Sequence, residues 1–369
     1  MNGPIRILHV VEAFGGGVMQ MLVPLAEDSA AMGNSVAVLY GRRPETPVPV
    51  RDCIDPSVEV LALPGERRSV PDLVRSVGHV RRVVEEWRPD IVHLHSSFSG
   101  VVGGLAIGRD LPTVFTPNCF ASAVDSPVAL RSLYRGGESF ACRRATVVGA
   151  VSESEAQLAR RRGARRVVHV PNGLRELDPG WPVSARNGVV GRPRVAAVGR
   201  TVAQKRPVAS ARILQGVAEV ADVEWLGGGG GTAGTAGAEA LRVAGIPVSG
   251  WMPRDELMGS LAGCVACLHW SAWDGLSLSV LEAIALGVVV VASDIAPNRE
   301  ILGRAGVCST EAEAIELLRR LVLEPELVRA LRAEQRERAA AFGAQNMVAA
   351  WHGVYAELAT GARDAPRAS

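Results

Sequence analysis

The chain has 369 residues, 40 basic and 38 acidic, with a formal net charge of +2. That balance excludes nucleic-acid binding through a one-sided basic surface, and 4% aromatic residues are too few for a base-stacking platform. With 48% hydrophobic residues there is material for two cores, the number expected at about 100–200 residues per domain, and wholesale disorder is excluded.

Residues 5–11 read as an apolar strand broken only by Arg6 and His9. It runs into Gly15-Gly16-Gly17 and a helical stretch over 18–32 that ends at Gly33. A strand over 35–40, a helix over 71–87 and a strand over 91–94 follow. Short β-branched strands are expected at 113–116, 146–151 and 166–170, with helices between. Residues 171–193 break the pattern with four prolines, four glycines and Trp181, and read as an interdomain connection. Strands then resume at 194–198, 223–226, 265–269 and 288–292, interleaved with helices over 207–217, 236–243, 256–262 and 278–286. Helices over 311–323, 325–341 and 346–360 close the chain, the last carrying Trp351 and Tyr355 ahead of a frayed tail at 361–369. Apolar strands alternating with helices predict an α/β protein of two doubly wound, Rossmann-like parallel-sheet domains facing a cleft. Ligands in such sheets sit beyond the carboxyl ends of the strands.

The N-terminus lacks a charged region followed by a long apolar stretch, so no signal peptide is expected. The longest apolar run, near 284–292, is interrupted by Gly287 and falls short of the ~18–20 residues of a membrane span. A cytoplasmic protein is expected. Of six cysteines only Cys264 and Cys267 form a CxxC pair, and with no second pair they read as reduced, buried apolar residues. There is no HExxH and no DxD, so no metal site and no cofactor are expected. His93 and His95 share a strand face, and His93 reads as packed.

Three loops carry the candidate chemistry. Gly16 and Gly17 open a helix directly after the first strand, where free backbone N–H groups suit a phosphate or a sugar hydroxyl. The pattern is not GxGxxG, and a tight turn without a ligand is the other reading. Next, Gly199–Pro207 follows the first strand of the second half and holds Arg200 and Lys205, the sole lysine among 40 basic residues. A compact ammonium beside a guanidinium suits a diphosphate; one such contact at 4 Å is worth ~4 kcal/mol before desolvation. The alternative is a solvated helix start. Finally, in Trp273–Gly287, Asp274 lies in a loop and Glu282 eight residues later on an otherwise apolar helix. A buried carboxylate needs donors, which ligand hydroxyls supply. Alternatively, Ser279-x-x-Glu282 is a capping box. Gly275, Leu276 and Ser277 present N–H groups at that helix start.

Together these pieces resemble the GT-B glycosyltransferases, specifically the retaining family 4 enzymes. The resemblance rests on DGLSLSVLEAIALG, with Asp274 and Glu282 at Glu-x7-Glu spacing, on GRTVAQKRP, on VPNGL at 170–174, on VSESEAQ at 151–157, on GWMPRDEL at 250–257 and on the N-terminal GGG loop. IVHLHSSFSG at 91–100 is similar to members that build bacterial surface polysaccharides. The resemblance implies an acceptor-binding domain over 1–171, a linker over 172–193, a nucleotide-sugar-binding domain over 194–343, and a helix over 344–360 that returns to the first domain. It implies that Glu282 bonds the ribose, that Arg200 and Lys205 hold the diphosphate with N–H groups near Leu276 and Ser277, and that Asp274 faces the transferred sugar. His95 and Asn118 would line the acceptor side. Asp274 is one methylene shorter than the usual Glu, and Asn118 stands where many relatives have His; Asn118 also reads as a plain turn residue.

The expected reaction is retaining, metal-independent transfer from a nucleotide-sugar, UDP-sugar first, to a carbohydrate, lipid-linked or small-molecule hydroxyl acceptor. A sugar-nucleotide epimerase on the same fold and a non-catalytic partner protein are the alternatives. The arginine run at 160–166 reads as a solvated helix end or as a peripheral contact with an anionic membrane.

Overall fold

A computed structural model describes residues 3–43, 46–64, 70–123, 128–177, 191–229 and 231–364. Of the expected connection, residues 178–190 lie outside the described residues, as do 365–369 of the expected tail. The chain divides into two compact units, Met1–Gly173 with Ala344–Ser369, and Leu174–Gly343.

The first unit is built on seven parallel strands: β1 (Arg6–Val11), β2 (Ser35–Gly41), β3 (Val58–Leu63), β4 (Ile91–His95), β5 (Thr113–Thr116), β6 (Val147–Ala150) and β7 (Val167–His169). Their order is β3-β2-β1-β4-β5-β6-β7. The order reverses between β1 and β4, whose carboxyl ends meet in register at Val11 and His95. β4, β5 and β6 are buried along their whole length because helices cover both faces of the sheet. β3 is absent from the sequence reading. It is an edge strand whose VEVLAL run is only partly covered, and the exposed Glu59 breaks its apolar character.

The helix Ala344–Asp364 belongs to this unit although the second unit precedes it in the chain. Its Trp351 and Tyr355 are buried, and the Tyr355 hydroxyl lies 2.6 Å from His93 Nδ1. Gly149 on β6 makes room for Trp351; a Cβ there would overlap the indole. The helix begins two residues before the expected 346 and continues through Asp364, so residues 361–364 are helical rather than part of a frayed tail.

The second unit has five parallel strands: β8 (Arg194–Val198), β9 (Asp222–Leu226), β10 (Ala266–His269), β11 (Val289–Ser293) and β12 (Val307–Cys308). The order is β12-β11-β10-β8-β9, so the reversal lies between β8 and β10. Val195, Ala197, Trp225, Leu268 and Val291 from the sheet pack with Ile213 and Leu318 from the covering helices. The sequence reading lacks β12 and the short helix Ala296–Leu302, both too brief to show a period. β12 pairs with β11 only at Ala292 and Ser293, which leaves Val290 without a strand on that side. Gln335 fills the gap. Its Oε1 accepts from Val290 N–H at 2.9 Å, and its Nε2 donates to Val290 O and Ala305 O at 2.8 Å each. The chain passes so close here that Gly306, at φ +91°, has no room for a Cβ against the Val290 carbonyl.

Gln335→Leu keeps the volume but leaves buried backbone groups of Val290 and Ala305 unpaired. A loss of about 2–4 kcal/mol is expected, at 1–3 kcal/mol per orphaned group, measured by chemical denaturation followed by tryptophan fluorescence.

Candidate functional site

In a doubly wound sheet the crevice opens where strand order reverses, and in the second unit that point is flanked by the loops leaving β8 and β10. After β8 the chain turns at Gly199 (φ +137°), forms one tight turn over Ala203–Lys205, and enters the helix Pro207–Gln215. After β10 it runs from His269 through Asp274 and Gly275 into the helix Leu278–Ala285. The loops are stitched together: Ala272 N–H donates to Gln204 O at 2.8 Å, and Gln204 Nε2 donates to Trp273 O at 3.1 Å. This brings the Lys205 ammonium to 2.9 Å from Asp274 Oδ2, with each side chain 14% exposed.

The same Oδ2 lies 3.2 Å from His269 Nε2, which also meets Ser271 Oγ at 3.1 Å. Burial, then the nearby Lys205 charge, lowers the His269 pKa, so the ring is neutral and the carboxylate fixes its proton on Nε2. Burial alone would raise Asp274; Lys205 and the His269 hydrogen bond outweigh it and hold the carboxyl well below the usual range. Asp274 is therefore an anion at any physiological pH. Arg200, in contrast, is exposed and forms no ion pair among the described residues. Gly275, Leu276 and Ser277 are buried and lead into the helix start. Ser277 makes no side-chain cap there, its Oγ instead meeting Ser279 Oγ at 2.9 Å.

Glu282 is not in a capping box. Ser279 lies inside the helix, whose N-cap is Ser277, and Glu282 points to Arg254 at the start of the helix Arg254–Ala262. Arg254 Nε and Nη2 approach Glu282 Oε1 at 3.2 and 3.1 Å, and Nη2 also reaches Glu176 Oε1 at 2.8 Å. Elsewhere the N-cap hydroxyls of Ser152 and Thr310 do accept from the N–H of Glu155 and Glu313, whose carboxylates in turn accept from the N–H of the residue before the cap, Val151 and Ser309.

The remaining candidates belong to the first unit. Gly16, at φ +51°, opens the helix Gly16–Ala31, and it and Gly17 are exposed. His95 is fully enclosed, its Nε2 3.1 Å from His9 Nδ1 and its ring stacked on His93 at 4.0 Å between centroids. One nitrogen from each of His9, His93 and His95 falls within 4.8 Å of the others. His93, however, spends Nδ1 on Tyr355 and Nε2 on Thr116 Oγ1 at 2.8 Å, so these rings form a packed hydrogen-bonded cluster. Burial keeps all three neutral, His9 at about 3.

Asn118 and Cys119 both adopt positive φ, +52° and +85°, and Asn118 Nδ2 is buried with no partner among the described residues. Glu155 holds this strained turn. Its carboxyl accepts from Cys119 N–H at 2.7 Å and from Val151 N–H at 2.8 Å. Burial pushes Glu155 up to about 7 against those two donors.

Sequence reasoning missed Arg254, Glu176, Gln204 and His269 as partners. Arg254 and Gln204 sit inside the motifs GWMPRDEL and GRTVAQKRP, and His269 ends an expected strand, yet nothing in their spacing names Glu282 or Asp274.

Lys205→Met and Asp274→Asn are each expected to cost about 3 kcal/mol by stranding a largely buried partner, and the double variant less than their sum, read by a denaturation double-mutant cycle. The folded state holds a proton on Glu155 that the unfolded chain releases, so stability falls as pH rises from about 4.5 to 7. The drop in melting temperature between pH 5.5 and 8 is therefore expected to shrink in Glu155→Gln.

The sequence matches two family descriptions, the Glycosyl transferase 4-like domain over residues 16–173 and Glycosyl transferases group 1 over 192–323. The structure resembles sucrose-phosphate synthase from Thermosynechococcus elongatus, with TM-score 0.80, 19% identity, and 96% of this chain and 100% of that one covered. It also resembles Anabaena HepE in complex with UDP-glucose, with TM-score 0.74, 17% identity and 96% and 100% covered. Alpha-monoglucosyldiacylglycerol synthase of Acholeplasma laidlawii is 33% identical over 108 residues, 27% of this chain and 25% of the synthase, so the chain matches a quarter of that relative's length. With both domains in order on two parallel-sheet units of the GT-B type, the chain belongs to the group 1 glycosyltransferases.

Proposed function

We propose that this protein moves a hexose or N-acetylhexosamine from a UDP-sugar to a hydroxyl group of a carbohydrate, lipid-linked or small-molecule acceptor, retaining the anomeric configuration and using no metal ion or cofactor. The observation that carries the proposal is the pairing at the sheet reversal of the second unit. There a largely buried Lys205–Asp274 pair lies on the loops that also bring the unpaired Arg200 and an uncapped helix start. UDP is favoured because HepE structures hold UDP and UDP-glucose.

In this reading the diphosphate lies against Arg200, Lys205 and the N–H groups of Gly275, Leu276 and Ser277. As the bond from sugar C1 to the diphosphate oxygen breaks, its electron pair leaves with the nucleoside diphosphate, and these fixed charges and dipoles stabilise it. Lys205 has three N–H donors, so it can hold Asp274 and a phosphate oxygen together. Asp274 then faces the hydroxyls of the transferred sugar. The acceptor oxygen attacks C1 from the departing side, and its proton passes to the leaving diphosphate. Glu282 takes the ribose hydroxyls. In the first unit, Gly16 and Gly17 serve the donor, and His95 and Asn118 shape the acceptor side; His95, being enclosed, acts through its neighbours.

Among the described residues no helix is long and apolar enough to cross a membrane. We assign the reaction to the cytoplasm; if the acceptor is the lipid-linked one, it is reached by peripheral contact.

The test is a thermal-shift screen against UDP, GDP, dTDP and ADP, followed by mass analysis with candidate sugars and acceptors. UDP release that requires an acceptor is the expected result. Interconversion of donor sugars without an acceptor would make the protein an epimerase, and binding without turnover a non-catalytic partner. Arg200→Ala is expected to weaken UDP binding about tenfold or more with an unchanged melting temperature, the scale of one charge-assisted hydrogen bond.

A further inference from the structure

Glu282 is a carboxylate with one oxygen already taken. Both Arg254 contacts, from Nε at 3.2 Å and Nη2 at 3.1 Å, fall on Oε1. Oε2 has no partner among the described residues, and the side chain keeps 12% of its surface open. Arg254 is itself anchored, because the same Nη2 reaches Glu176 Oε1 at 2.8 Å from the turn Arg175–Leu177. The chain Glu176–Arg254–Glu282 therefore fixes which oxygen of Glu282 is available and where it points. An ionised oxygen carries two lone pairs, enough for two adjacent hydroxyls and no donor besides.

We propose that Arg254, braced by Glu176, is a positioning residue that leaves Glu282 Oε2 to accept both the 2′ and 3′ hydroxyls of the donor ribose, and so makes the site select ribonucleoside over 2′-deoxyribonucleoside diphosphates. This rests on the reading of Glu282 as the ribose ligand. A 2′-deoxy ligand forfeits one hydrogen bond to a charged oxygen. A Glu282 that has taken up a proton forfeits most of the preference, because its carboxyl then carries a donor of its own.

Burial raises the Glu282 pKa, and the Arg254 charge and hydrogen bond act against that rise. The other charged groups around this helix leave that role to Arg254. Glu176 works against ionisation; Arg175 shares its turn. Asp255 and Glu256 follow Arg254 on its own helix and add negative charge. Across the helix Pro325–Ala339, Arg336 reaches the Ala285 carbonyl at 3.5 Å and Arg332 lies beside Gly287, both at the far end. β11 brings only apolar side chains and Ser293.

The experiment is calorimetric titration of the full chain with UDP and with 2′-deoxy-UDP at pH 6 and pH 8. It uses the wild type, Glu282→Gln, Arg254→Gln, Arg254→Lys and Glu176→Gln. The wild type is expected to prefer UDP about tenfold at both pH values, and Glu282→Gln to show a ratio near one. Arg254→Gln is expected to lose the preference at pH 6 and regain part of it at pH 8, as the carboxyl ionises. Arg254→Lys keeps the charge and most of the preference. Glu176→Gln lowers the preference two- to threefold and also tests the idea if Arg254→Gln does not fold. A wild-type ratio and pH profile in both Arg254→Gln and Glu176→Gln, with the preference still lost in Glu282→Gln, would overturn the positioning role and leave the ribose reading intact. UDP binding with no diol preference in the wild type would overturn the ribose reading itself.

Discussion

The pairing of Lys205 with Asp274 sets the terms for everything around it in the second unit. Lys205 and His269 hold the enclosed Asp274 carboxyl well below the usual carboxylate range, and either charge of the pair would be costly to bury alone. The pair also ties the loop after β8 to the loop after β10 across the reversal of strand order, 69 residues apart in sequence. Gln204 and His269 reinforce the tie from either side. The result is a charge pattern fixed by the fold before any ligand arrives, with the exposed Arg200 on the same loop.

Much of this architecture was legible in the residues. Glycine and proline punctuation and apolar strands located ten of the twelve strands and placed Lys205, Asp274 and Glu282 after strands or on a helix start. What escaped has a common physical character. β3 and β12 lie at sheet edges and are only partly covered, and the helix Ala296–Leu302 is only seven residues long, too short to imprint a period. The partners of Glu282 escaped because they come from 28 residues before it and 78 residues before Arg254. A local pattern offered Ser279 instead, and tertiary contact prevailed. The serine or threonine that caps must be the residue just outside the helix, and at this helix that residue is Ser277.

The first unit uses polar groups differently. His9, His93 and His95 are enclosed and neutral, and they spend their capacity on one another, on Thr116 and on Tyr355. The cluster ties β1, β4, β5 and the last helix together through these bonds, and it leaves His9 Nε2 and His95 Nδ1 buried with no partner among the described residues. Glu155 plays a similar part at the Asn118–Cys119 turn, where its carboxyl accepts from the N–H of Cys119, held at positive φ, and ties the turn to the N–H of Val151.

The second unit is in effect an insertion in the first. Residues 174–343 fold between the seven strands and the helix that completes their packing. A ribosome therefore delivers the whole of the second unit before Trp351 and Tyr355 emerge to cover β6 and His93. During synthesis the earlier half waits with an open core, and the later half is the first to be sealed. Translation from the amino end thus reverses the order of completion, and a chain that stops at Gly343 carries a first unit without its closing helix.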